Sequence, residues 1–119
     1  MAFTIKQGDT APAYVADLLD DYDLPGESAI NLTSATSVTF KMRLADTTGT
    51  PKISDAMTIT TAANGRVTYE WQTGDTDTAG TYDVEFEILW TDGTIETVPN
   101  GADPDAQYLT VEIVDDLDA

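Results

Sequence analysis

Cysteine and histidine are both absent from this 119-residue chain, and only five residues, three Lys and two Arg, are basic. Without cysteine no disulfide framework staples the fold and no thiol chemistry is available. With neither residue present, Ser-His-Asp and Cys-His nucleophilic systems and the usual zinc sites are excluded. Long apolar runs are missing too. The opening "MAFTIKQGD" has no basic segment leading into an apolar stretch, and no window approaches the roughly 18 apolar residues of a membrane span. The expectation is a protein made soluble, without an export signal and without a membrane partner.

What is abundant is acid. There are 22 Asp and Glu residues spread along the whole chain, for a formal charge of -17. A domain of this length is comfortable at a net charge of about 2 to 8 in magnitude, and larger values destabilise the compact state by self-repulsion. Molar salt shortens the Debye length to roughly 3 Å and removes most of that repulsion. The composition therefore reads as adapted to high salt, in keeping with 16 Asp against six Glu, three Lys and 20 Thr. Disorder is the rival explanation, but 41% of the residues are hydrophobic and they recur at strand spacing. The same charge repels phosphate with no basic stripe to offset it, so nucleic acid and anionic bilayers are not expected partners.

The length fits one domain, residues 1–119, ending in a short acidic stretch over 115–119. Period-two alternation predicts strands at Val38 to Leu44, Val67 to Trp71, Tyr82 to Trp90, Leu109 to Ile113 and Phe3 to Lys6. Shorter strands are expected at Ala13 to Leu19, Ala29 to Leu32, Ala56 to Thr60 and Thr94 to Val98. Asn64-Gly65 and Asp92-Gly93 supply residues tolerant of positive φ, as two-residue hairpins need. No long window carries helical spacing, so the fold class is all-β: an immunoglobulin-like antiparallel β-sandwich of seven to nine strands. Gly80 and Tyr82 at the start of the longest strand resemble a tyrosine corner, in which the hydroxyl bonds back to upstream backbone. In "IKQGDTAP", Gly8 permits a bend, Asp9 and Thr10 can bond locally, and Pro12 has no N–H for a ladder. That stretch reads as the switch between the two sheets, against the alternative of a ligand loop.

Only carboxylate chemistry remains for catalysis, and a glycosidase pair needs one raised pKa in a partly apolar cleft. A sandwich this small rarely encloses one, so no enzyme, no catalytic residue and no cofactor is expected. For metal, Asp20, Asp21 and Asp23, with Asp17 before them, are the weak calcium candidates, beside the Asp75/Asp77 and Asp103/Asp105 pairs. None matches the EF-hand loop, and solvated acidic loops explain them equally. Trp71 and Trp90 lie in phase with core residues, so both are expected inside; a carbohydrate-stacking platform is the alternative. Candidate interface residues are the out-of-phase Leu89, Val98 and Tyr108, with Tyr14 and Tyr22 in less regular segments. Lys41 and Arg43 stand out in a chain so poor in cations. They are placed to pair across strands with Glu85 or Glu87, or to receive an acidic partner subunit.

The ordered segments "FTIKQGDTAPAYVADLLD", "INLTSATSVTFKMR", "GRVTYEWQTGDTDTAGTYDVEFEI" and "DGTIETVPN" resemble the immunoglobulin-like N-terminal domain family of the phage baseplate upper protein, found in tailed viruses. The resemblance spans about residues 3–114 and implies a β-sandwich packed against other virion structural proteins, with no active site to carry over. Together with the acidic, Thr-rich composition it implies a virion protein of a tailed haloarchaeal virus, assembled in the host cytoplasm as several copies in the tail or baseplate. A capsid decoration, turret or head-tail junction protein, a glycan-binding attachment module, and a cellular surface domain are the alternatives.

Overall fold

The computed structural model describes residues 2–19, 29–98 and 109–115. Among the described residues nine strands run in chain order: β1 Ala2–Lys6, β2 Tyr14–Asp17, β3 Ala35–Leu44, β4 Ile53–Ala56, β5 Thr58–Thr61, β6 Arg66–Tyr69, β7 Gly80–Trp90, β8 Ile95–Val98 and β9 Leu109–Val114. They form two sheets. The larger has the order β1-β9-β7-β3-β4, with β8 also paired to β7, and the smaller is β2-β6-β5. This is the expected all-β sandwich, with one difference: β1 runs parallel to β9 while the other pairs are antiparallel.

The alternation seen in β3 and β7 decides which face is buried. Val38, Phe40 and Met42 of β3 and Tyr82, Val84, Phe86 and Ile88 of β7 are all buried, and their odd-numbered neighbours are partly or wholly exposed. Between the sheets Phe40 stacks on Tyr69 at 4.5 Å and meets Trp71 edge-on at 5.7 Å. Tyr14 sits 5.3 Å from Phe40 and 6.1 Å from Phe86. Each fully buried large apolar side chain contributes about 1.5–3 kcal/mol, so aromatic packing supplies the inter-sheet cohesion that a disulfide gives in other sandwiches. Val84 stands two residues after the corner tyrosine, where antibody domains carry their second cysteine.

The corner itself is present: the Tyr82 hydroxyl donates to the Thr78 carbonyl at 2.8 Å. Gly80 opens β7 against Leu44, whose Cδ1 would lie 3.1 Å from an added Cβ. The Gly8 bend, at φ 86°, carries the chain from β1 in the large sheet to β2 in the small one. Four hydrogen bonds tie that crossing to the segment before β7. Gln7 Nε2 donates to the Asp77 carbonyl, Gly8 N to the Thr76 carbonyl, Thr76 Oγ1 to the Asp9 carbonyl, and Trp71 Nε1 to the Pro12 carbonyl. Thr76 is buried to 1% exposure, so its hydroxyl needs that acceptor.

Three local expectations are corrected. Ala29 to Leu32 is not a strand: Ala29 makes one isolated bridge to Leu19, while Ile30 and Leu32 plug the core. The stretch Ala56 to Thr60 is divided, because at Met57, whose N–H bonds the Val38 carbonyl, the chain leaves β4 in the large sheet for β5 in the small one. Neither hairpin is a two-residue primed turn. A 3₁₀ turn at Ala62–Asn64 followed by left-handed Gly65 joins β5 to β6, and a Trp90–Gly93 turn joins β7 to β8. Only the glycine of each dipeptide adopts positive φ.

Candidate functional site

The outward face of the large sheet gathers three of the interface candidates singled out from the sequence, Lys41, Arg43 and Leu89. Across β3 and β7 the register pairs Ser37 with Leu89, Thr39 with Glu87, Lys41 with Glu85 and Arg43 with Asp83. Since the even-numbered residues fill the core, these form one outward stripe, apolar at one end and charged at the other. Lys41 Nζ donates diagonally to Glu87 at 2.8 Å, with both side chains about one-third exposed. This is one of the pairings the sequence suggested.

At the charged end Arg43 lies opposite Asp83, yet its Nε is buried and has no hydrogen-bond partner, alone in this among the described side chains. Burial pushes the Asp83 carboxyl above the usual carboxylate range; Arg43 pulls the other way, and Asp46 adds to the rise. Lys41, Met42, Arg43, Pro51, Asp83 and Glu85 line a cleft of about 40 Å³. Its wall is the loop into β4, which brings Pro51 against β3.

At the other end Leu89 pairs with Ile95 of β8, and Ile95 is 62% exposed. Leu89 is half-buried on this outward face. Trp90 is half-buried at the end of β7, packed against the margin of the core, with its indole N–H donating to Glu96 Oε1 at 3.3 Å. It is therefore less enclosed than its phase predicts. Ile95 was missed by sequence reading, although its place just after the Asp92-Gly93 turn sets it opposite Leu89.

Two interface candidates are overturned. Val98 is buried because β8 pairs it with core-facing Phe86, and Tyr14 is buried because β2 pairs it with core-facing Tyr69. Tyr108 and Tyr22 lie outside the described residues, as do Asp20, Asp21, Asp23, Asp103 and Asp105. Trp71 is buried at 4% exposure among Phe3, Tyr14, Phe40 and Tyr69, as expected of a core residue.

The remaining Asp candidates are held by protein donors. Asp75 Oδ2 accepts from the Tyr69 hydroxyl at 2.6 Å and from Gln72 N at 2.8 Å. Asp55 lies 3.4 Å from the same hydroxyl. Burial first, and then these two carboxylates, push the Tyr69 hydroxyl far above the usual phenol range, so it stays a donor. Asp77 pairs with Lys52 at 2.7 Å and Asp17 with Arg66 at 2.8 Å. The hydrogen bonds from Lys52 and Arg66 hold these two carboxyls below their usual range. Among the described residues no group of three or more acidic side chains could hold a metal ion. The face thus offers two kinds of contact, an apolar pair at Leu89 and Ile95 and a charged cleft at Arg43. Compared with protein-family models and with curated proteins, the chain matches none of them.

Proposed function

We propose that this protein is a non-enzymatic structural component of a tailed virus infecting a halophilic archaeon, a tail or baseplate part that assembles in several copies among other virion proteins. The observation that carries the assembly reading is the Leu89–Ile95 pair, two apolar side chains facing outward across neighbouring strands on a protein of charge -17. Placing hydrophobic residues together on such a surface is costly in solution and useful in a contact. The acidic composition supports a particle that works in strong brine, and the resemblance of the segments quoted above supports the virion setting. The glycan-binding alternative loses Trp71 as a stacking platform, since that ring is inside the core.

Sedimentation velocity in molar KCl tests the assembly reading. The wild-type protein is expected to show a sedimentation coefficient that rises with concentration, and Leu89→Asp and Ile95→Asp are expected to abolish the rise while keeping the circular dichroism of the fold. A wild type that stays monomeric throughout, or variants that assemble as well as it does, would refute this contact.

A further inference from the structure

The two sides of β7 are covered differently. On one side β3 runs beside it from Tyr82 to Trp90; on the other, β9 takes Gly80 to Val84 and β8 takes Phe86 to Leu89. β1 lies outside β9 and begins at Ala2, beside Thr110, so among the described residues β8 has no strand on its far side. Trp90 N–H bonds the Thr94 carbonyl, and alternation along the ladder then turns the N–H and C=O groups of Ile95 and Thr97 away from β7, toward that open edge. Free backbone groups beside an exposed Ile are a template for another strand.

We propose that a second copy of this chain adds its own β8 here, antiparallel and about a two-fold axis at Ile95, joining the two large sheets into one. The proposal rests on the assembly reading above and gives that contact its geometry. An axis at Ile95 lines up Leu89, Ile95 and their counterparts in the second copy as one apolar row across four strands. An axis at Glu96 would set two carboxylates opposite each other, with Cα atoms about 4.5 Å apart. An axis at Thr97 would drive the second copy's Asp92-Gly93 turn into the place that Ala2 occupies beside Thr110. The edge also suits an equally acidic neighbour. Ser37, Leu89 and Ile95 form an uncharged row, and in the next row Glu87 is paired with Lys41. A cationic partner finds little to recognise there, and molar salt screens the repulsion between the remaining charges of two copies.

The chain has no cysteine, so one introduced thiol reports one position. The axis puts the two Ile95 Cα atoms about 5.5 Å apart, inside the disulfide range of about 4.4–6.8 Å, and the two Thr97 Cα atoms about 13 Å or more apart. With an oxidant in molar KCl, Ile95→Cys is expected to crosslink into dimers about tenfold faster than Thr97→Cys, or more. Thr97→Pro removes an edge-facing N–H without touching the ladder to β7. It is expected to abolish the concentration-dependent rise in sedimentation coefficient although Leu89 and Ile95 remain, while Thr97→Ser keeps the rise. If Thr97→Pro loses its circular dichroism, the crosslinking ratio decides. Equal crosslinking at the two positions, or a folded Thr97→Pro variant that associates like the wild type, would overturn the edge pairing and leave the side-chain contact standing. A wild type that never associates overturns both.

Discussion

Lowering the salt should unfold this protein, and the size of the effect follows from its charge and dimensions. The Cα radius of gyration is 14.4 Å and the net charge -17. A sphere of that compactness has a radius of about 19 Å, and Coulomb's law with Debye screening gives a self-repulsion of ~4 kcal/mol in 1 M salt and ~11 kcal/mol in 0.1 M. On an unfolded chain of radius about 45 Å the same charge costs only ~1 and ~2 kcal/mol, since the repulsion relaxes as the chain expands. Going from 1 M to 0.1 M salt therefore removes about 5 kcal/mol of stability, as much as many domains possess in total. Urea titrations followed by circular dichroism across a KCl series would measure it. A matched variant separates charge from other salt effects: Asp9→Asn, Asp46→Asn, Glu70→Gln, Glu96→Gln, Glu112→Gln and Asp115→Asn are all exposed changes that together reduce the charge to about -11. Since the repulsion scales with the square of the charge, its salt dependence should fall to about two-fifths of the wild-type value. An unchanged salt requirement in that variant would refute repulsion as the cause.

Three further outcomes are expected. Tyr82→Phe removes the corner hydrogen bond to Thr78 and should cost about 1 kcal/mol, read as a fall of about 4 °C in Tm. Gly65→Ala should cost about 2 kcal/mol or more, because Gly65 has φ 69° and an added Cβ would come within 2.7 Å of the Ile30 carbonyl and 2.8 Å of the Leu18 carbonyl; an unchanged urea midpoint would contradict that packing. Burial raises the folded-state pKa of Asp83, so its ionisation costs stability above that pKa, and the cost disappears as the pH falls through it towards the unfolded value of 3.8. Asp83→Asn should therefore flatten the stability profile between neutral pH and pH 4, and a steeper profile would show that Arg43 outweighs burial.

The parts of the fold legible in the sequence are those where one strand alternates over many residues. Val38 to Leu44 and Tyr82 to Trp90 each had enough apolar positions in phase to fix strand, face and core, and Tyr82 with Gly80 marked the corner. β4 escaped because Ile53–Ala56 has a single buried residue and so no phase to read. Val98 was misjudged because β8 is four residues long, and its burial is set by pairing with Phe86 instead of by any local pattern. Lys41 was legible as a cross-strand partner because it shares the outward phase of β3 as Glu85 and Glu87 share that of β7, although which strand lies beside β3 is set by the sheet order and not by a hairpin. The Arg43 cleft was not, since it depends on a loop that brings Pro51 against the outer face, a contact with no periodic signature.

The central claim, that this is a virion part built in many copies, is tested most directly by quantitative mass spectrometry of virus particles banded in strong salt from a host culture producing this protein. The account predicts this chain at several copies or more per particle, with a fixed ratio to the other structural proteins across the band. Its absence from the particles, with the protein present in the same culture, would contradict the account.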